Sequence, residues 1–372
     1  MIRALSPYYI TVPLQYTTSS TVTCEYFKLY ITVWSGAEGS VPTTPSYVID
    51  YDNPTLQTND HVINIAPLLR DFIEFTPSAV GNTFSIVNAF GNQQWVNTYV
   101  KYDEVAFSYQ EDTSIFTSGY SYGNDGANSE NRTDTTGKPQ ILLENTDYSA
   151  HRGGVFNVPI TLDDLTTTTN VSVKSFPSLQ INEPTNIVAQ TTQSDNKIKN
   201  IWIPTAAATT DEYIRVTFNG DTIDLVLKDE FRYDPMTVFF VNKYGAQQTF
   251  IFFKEQSTSL SVTDNTFESN IGQPSTGTHQ FLRYNVQART TLKASSGFID
   301  EGENEAVKQL MLSERVWMYD IVDGFTPLNI KTTSTTFKTR QKQRLINYDV
   351  EFLMGYNEIN NILMGSNEIN NI

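Results

Sequence analysis

The segment YIRVTFNGDTIDLVL, residues 213–227, constrains the fold most tightly. Two runs of alternating apolar and polar residues flank Asn219-Gly220-Asp221. Asn-Gly takes the positive φ values that a tight hairpin turn needs, so this stretch predicts two paired strands. Strand-like runs of the same kind recur. CEYFKLYITVW (24–34), FSIVNAF (84–90), QWVNTYVKYDEVAFSY (94–109) and HQFLRYNVQARTTLKASS (279–296) are rich in β-branched and aromatic residues. PMTVFFVNKYGAQQTFIFFKE (235–255) offers two apolar strands around Lys243-Tyr244-Gly245. Aromatics reach 12% and charged residues only 18%, against about 25% in an average globular protein. Thr, Tyr and Phe suit pleated, half-buried surfaces, while Asn and Ser suit turns. The expected fold is all-β, built of sandwich- or barrel-like modules with one or two short helices.

Two helical signals interrupt the strands. HVINIAPLLRDFIEF (61–75) reads as a strand followed by a short turn of helix near 67–75, with Leu68, Leu69, Phe72 and Ile73 as its apolar face. Pro67 fits the first turn, where its missing N–H costs nothing. GENEAVKQLMLSERVW predicts a helix near 302–315, with acids in its first turn and Val307, Leu310, Met311 and Leu312 as apolar positions. The expected organisation is an N-terminal β domain (1–109), a long polar loop (110–139) and a β-rich continuation (140–200). A middle β domain (201–260), a C-terminal β domain (261–352) and a repeated arm (353–372) follow.

Chemistry-bearing motifs are sparse. The histidines, His61, His151 and His279, are isolated from one another and from any metal-ligand spacing. The single cysteine, Cys24, sits in a strand-like run and reads as a small buried hydrophobe. The sequence has no nucleophile elbow, phosphate-binding loop or dinucleotide fingerprint. Asn124-Asp125-Gly126-Ala127-Asn128 looks superficially like a calcium loop but lacks the alternating oxygen ligands and the terminal Glu. The adjacent pairs Asp103/Glu104 and Asp229/Glu230 point to opposite faces in a strand and read as surface charges. The expectation is a protein with no catalytic residues, no metal and no cofactor.

Net charge is −16, from 41 acidic and 25 basic residues. Such a chain repels phosphate backbones, so no nucleic acid is expected as a partner. One basic patch stands out: Lys331, Lys338, Arg340, Lys342 and Arg344, with no acid until Asp349. Alternation places the last four on one strand face, where they suit solvent or an acidic neighbour such as a second copy of the chain. No stretch has the length and apolarity of a membrane span, and the N-terminus lacks a signal-peptide core, so no membrane is expected and assembly is expected in the cytoplasm. The C-terminus repeats itself, LMGYNEINNI then LMGSNEINNI. Leu353, Tyr356, Ile359 and Ile362 recur every third residue and can form one helical face that docks on a neighbour; the second copy reads as a tolerated tandem duplication, with an extended arm touching another subunit as the alternative.

Three stretches in order carry a resemblance. They are MIRALSPYYITVPL with CEYFKLYITVWSG, then TVFFVNKYGAQQTFIFFKEQS (237–257), then LMLSERVWMYDIVDGFTPLNIKTTSTTFKTRQKQRLINYDVEFLMGYNEINN (310–361). This order resembles structural proteins of tailed bacteriophages infecting Bacteroidota, which sit with tail or baseplate genes. The resemblance implies a virion protein of the tail, a ring or baseplate component, with copies of itself and other tail, neck or baseplate proteins as partners. It supplies no catalytic residues. The expected subunit-interface residues are Lys331, Lys338, Arg340, Lys342, Arg344, Tyr356, Ile359 and Ile362. Two alternatives stand beside it: a neck or collar protein, and a carbohydrate-binding adhesin or receptor-binding tail protein with Trp95 and Tyr120 as glycan contacts. A glycoside hydrolase with two carboxylates distant in sequence is a third.

Overall fold

The structure is a computed structural model. It describes residues 2–17, 21–78, 84–89, 94–102, 108–123, 140–162, 169–177, 186–191, 197–205, 211–269, 276–277, 279–320, 324–337 and 346–358. Among the described residues strands make up 56% and helices 7%, so the fold is all-β as the composition predicts. It divides into two compact units, Met1–Asp229 with Phe240–Thr249, and Glu230–Phe239 with Phe250–Ile372. The boundaries expected at 200/201 and 260/261 each fall inside a strand, Ile198–Pro204 and Gln256–Glu268.

The first unit carries a five-stranded sheet in the order Ile2–Arg3, Ser108–Thr117, Gln94–Tyr102, Tyr26–Ser35, Tyr47–Asp52. Its spine is Tyr26–Ser35, where Phe27, Leu29 and Ile31 alternate inward and are fully buried. That inward row is the period-2 pattern read from CEYFKLYITVW, and Cys24 is buried beside it. The strand Ser108–Thr117 runs past the point where the sequence suggests that the polar loop begins. Residues 124–139, with the Asn124–Asn128 stretch, lie outside the described residues. The short helix is Ala66–Arg70, with Pro67 in its first turn as expected, but it ends before Phe72. Arg70 donates to the carbonyl oxygens of Ala4 (2.8 Å) and Leu5 (2.9 Å), which ties it to the N-terminal segment.

A second five-stranded sheet contains the predicted hairpin, Asp211–Phe218 paired with Asp221–Lys228. Asn219 and Gly220 form its two-residue turn at φ +48° and +94°. This is the doubly positive geometry that matches strand twist, and Asn-Gly is the pair that adopts it at least cost. A three-stranded sheet places Ile198–Pro204 between Val155–Thr161 and Ser85–Asn88. Asn157 and Asn200 are completely buried there. Asn200 donates to Ser78 Oγ (2.6 Å), Ser78 N and Oγ donate to Gln247 Oε1 (2.9 and 3.1 Å), and Asn157 donates to the Gln247 carbonyl (2.6 Å). Buried amides cost free energy unless paired, so this chain fixes the register of four distant segments.

The same unit holds the turn Asn242–Ala246. Asn242 Oδ1 accepts from the N–H groups of Tyr244 (3.0 Å) and Ala246 (3.1 Å), and its amide donates to the Leu142 carbonyl (2.8 Å). The Tyr244 hydroxyl donates to Glu144 (2.5 Å), and Lys243 Nζ lies 3.1 Å from the same carboxylate.

The second unit is organised on a sheet in which Val316–Asp320, Gly324–Ile330, Asp349–Met354, Phe281–Ser295 and Gln256–Glu268 pair in that order. Aromatic edges interlock in its core: Phe252 meets Phe352 at 5.6 Å and Phe239 meets Phe325 at 5.5 Å, both T-shaped. A 3-10 turn, Glu301–Glu303, leads into the helix Asn304–Leu312. Ala306, Val307 and Leu310 face inward, while Leu312 is exposed. The helix stops earlier than 315 because Ser313 turns to extended backbone and Val316-Trp317-Met318-Tyr319 enters the sheet. β-branched and aromatic residues there outweigh the helical pattern before them.

Candidate functional site

Among the described residues the most exposed regular element is the strand Gln256–Glu268, thirteen residues long, which forms the outer edge of the second unit's sheet. Twelve of its thirteen residues are exposed and the other is half-buried. It pairs antiparallel with Phe281–Ser295 over its whole length, from Gln256↔Ala294 to Glu268↔Phe281. Only Thr291–Ser295 of that partner strand also pairs with Asp349–Leu353. The rest forms a two-stranded ribbon. At roughly 3.3 Å per residue the whole edge strand is about 40 Å long.

The ribbon's local geometry follows from its sequence. Thr263 pairs with Gln287 and Asn265 with Tyr284, so Asn285 and Val286 together face Asp264. Asn285 takes φ +51°, a value that Asn tolerates better than most residues, and the extra residue forms a β-bulge. Beside the bulge Asp264 accepts from Arg283 at 2.5 Å. Phe267 and Tyr284 stack edge-on at 5.6 Å. Leu260 is 59% exposed, Val262 44% and Phe281 63%.

Edge strands present unpaired N–H and C=O groups, and proteins normally blunt them with charge, proline or shortness. From Gln256 to Thr263 this edge has none of these, reading QSTSLSVT. In a chain of net charge −16 that uncharged run lets a second copy approach without confronting like charges. Arg283 already neutralises Asp264 at its far end.

The residues singled out from sequence fare differently. Lys331 lies 3.3 Å from Glu351, with both side chains half exposed, and its backbone N–H donates to the Glu351 carbonyl (2.8 Å). Lys338, Arg340, Lys342 and Arg344 lie outside the described residues, as do Ile359 and Ile362. Tyr356 is 46% exposed. The three-residue spacing does not start a helix at Leu353, which lies in the strand Asp349–Met354 and pairs with Thr291. Gly355 N–H then donates to the Pro327 carbonyl and Glu358 N–H to the Ala288 carbonyl, both at 2.8 Å. The segment after the strand is therefore tied to the base of the ribbon.

Trp95 is completely buried. Its indole N–H donates to the Gly36 carbonyl (2.9 Å), it pairs across the sheet with Trp34, and Lys197 Nζ lies 5.3 Å from its ring. It presents no face to a sugar, so the glycan contact expected there is corrected to a core role. Tyr120 is half-buried. Its N–H donates to the Lys243 carbonyl (2.8 Å) and its ring lies 5.8 Å from that of Tyr122.

Asp229 is exposed and bonds Arg152 at 2.7 Å. Glu230 is no open surface charge: its side chain is only 8% exposed and bonds Lys254. Among the described residues no group of three or more His, Cys, Asp or Glu side chains is placed to hold a metal ion. No helix among them is long and apolar enough to cross a membrane. Compared with known proteins, the chain matches no protein-family model and no curated protein.

Proposed function

We propose that the chain is a virion structural protein, a ring or baseplate component of a bacteriophage tail that acts by subunit-subunit assembly. The observation that carries the assembly reading is the exposed, uncharged run Gln256–Thr263 of the edge strand. The occupant of that edge is a second copy of the chain. Antiparallel self-pairing about Leu260 sets Leu260 opposite itself, Val262 opposite Thr258 and Gln256 opposite Asp264. Every pair is then neutral or already compensated by Arg283. Main-chain hydrogen bonds supply the attachment, and the apolar side chains Leu260 and Val262 give it register. The tail assignment rests on the resemblance of the ordered sequence stretches to phage structural proteins. In this reading the protein has no enzymatic activity and assembles in the host cytoplasm.

Mass spectrometry of purified particles from the source culture, with gold-labelled antibody to the native chain, tests the tail assignment. Peptides of the chain in the particles and label at the distal tail are the expected result. Label at the head–tail junction would move the protein to a neck ring. Absence of its peptides from intact particles would overturn the virion reading.

A further inference from the structure

The second unit holds a pocket of about 520 Å³ at the foot of the ribbon. That size is within the range of small-molecule sites, roughly 300–1,000 Å³. Its walls come from residues 254–257, 293–298 and 347–349, with Tyr233 completing the rim. Main-chain bonds hold these segments together: Lys254 N–H donates to the Ser295 carbonyl (3.1 Å) and Ser296 N–H to the Tyr348 carbonyl (2.8 Å). Gly297 adopts φ +66°, and a Cβ there would stand 2.8 Å from Lys254 Cγ. Only glycine lets the Lys254 stem lie across this turn.

The chemistry of the lining selects the ligand. Lys254 and Lys293 are balanced by Glu255 and Asp349 in the same wall. Lys254 is already bonded to Glu230, and Lys293 lies 3.7 Å from Asp349. With Glu230 counted, the two lysines face three carboxylates, so the pocket holds no surplus positive charge to attract an anion. What remains is a set of short polar groups beside aromatic surface. Asn347 accepts from Ser295 Oγ at 3.0 Å, which fixes its orientation. Phe298 is 56% exposed, and Tyr233 shares the same lining. A neutral, hydroxyl-rich molecule with an apolar C–H face fits this combination: its ring packs on the aromatic side chain, and its hydroxyls bond to groups that both donate and accept.

We propose that this pocket is a binding site for a neutral saccharide. The proposal does not rest on the edge-strand assembly reading, although Ser257 belongs both to the pocket wall and to that edge.

Saturation-transfer NMR on the full chain tests it, with glucose, galactose, mannose, rhamnose and N-acetylglucosamine as probes and inorganic phosphate and sialic acid as anionic controls. The expected result is transfer to at least one neutral sugar, with affinity weakened at least tenfold in Phe298→Ala and in Asn347→Ala. Thermal unfolding of both variants checks that they fold. No transfer to any of the five sugars at millimolar concentration, tighter binding of an anionic control, or binding unchanged in folded Phe298→Ala and Asn347→Ala would each overturn the proposal.

Discussion

Gly245 sits against the side chain of Thr117, at φ +74°, so that a Cβ placed on it would overlap the threonine. The turn Asn242–Ala246 is seated by this contact: Thr117 Oγ1 donates to the Tyr244 carbonyl at 3.1 Å. Gly119 closes the other side, where a Cβ would stand 2.8 Å from the Lys243 carbonyl oxygen. Gly245→Ala incurs both the left-handed backbone penalty and the clash. It is expected to destabilise the protein by about 2 kcal/mol or more, read from chemical denaturation. Gly39→Ala, where nothing lies within 4 Å of the added carbon, is expected to be near neutral.

Trp95→Ala removes a completely buried indole that bonds the Gly36 carbonyl. A loss of about 3–5 kcal/mol is expected from the cavity and the lost burial. Sugar binding, where the variant remains folded, is expected to be unchanged, which separates this core residue from the pocket around Phe298.

The Glu230 carboxyl is held below the usual glutamate range, first by its hydrogen bond from Lys254 and next by the Arg232 N–H. A depressed folded-state pKa means that the unfolded chain takes up the proton first as pH falls. The contribution is therefore fully present above the ordinary glutamate value of about 4.3 and is lost as pH falls through the lower folded value. Denaturation midpoints measured between about pH 6 and pH 3 are expected to fall more steeply for the wild type than for Glu230→Gln. Parallel curves would show that the pair adds nothing to the pH dependence.

The hairpin turn tests local chemistry alone. Gly220→Ala keeps open space around the new carbon but forces an L residue to φ +94°. A loss of about 1 kcal/mol or more is expected from strain, with the strands Asp211–Phe218 and Asp221–Lys228 otherwise intact.

Which features were legible in the sequence follows from burial. The hairpin at 219–220 announces itself through Asn-Gly, and Tyr26–Ser35 through alternation, because one face of each strand is buried. The edge strand Gln256–Glu268 has no buried face, so QSTSLSVTDNTFE offers no apolar period and reads like a loop. Trp95 and Phe298 are both aromatic residues in strand-rich surroundings, yet one is buried and the other exposed, a difference set by neighbours distant in sequence. The helix ending at Leu312 was legible in its amphipathic part, while its end was not, because no glycine or proline marks the point where Ser313 turns to extended backbone. The division into units was hidden because Phe240–Thr249 belongs with residues before 230, an exchange that no local composition shift marks.

The central claim is that copies of the chain join through the edge Gln256–Thr263. Light scattering coupled to size-exclusion chromatography, on the wild type and on Leu260→Asp/Val262→Asp, tests it most directly. The account predicts oligomers for the wild type. For the variant it predicts a monomer of 42.0 kDa with unchanged thermal unfolding, since both side chains are exposed and their loss leaves the core intact. A wild type that stays monomeric at every concentration, or a variant that assembles just as the wild type does, would contradict it.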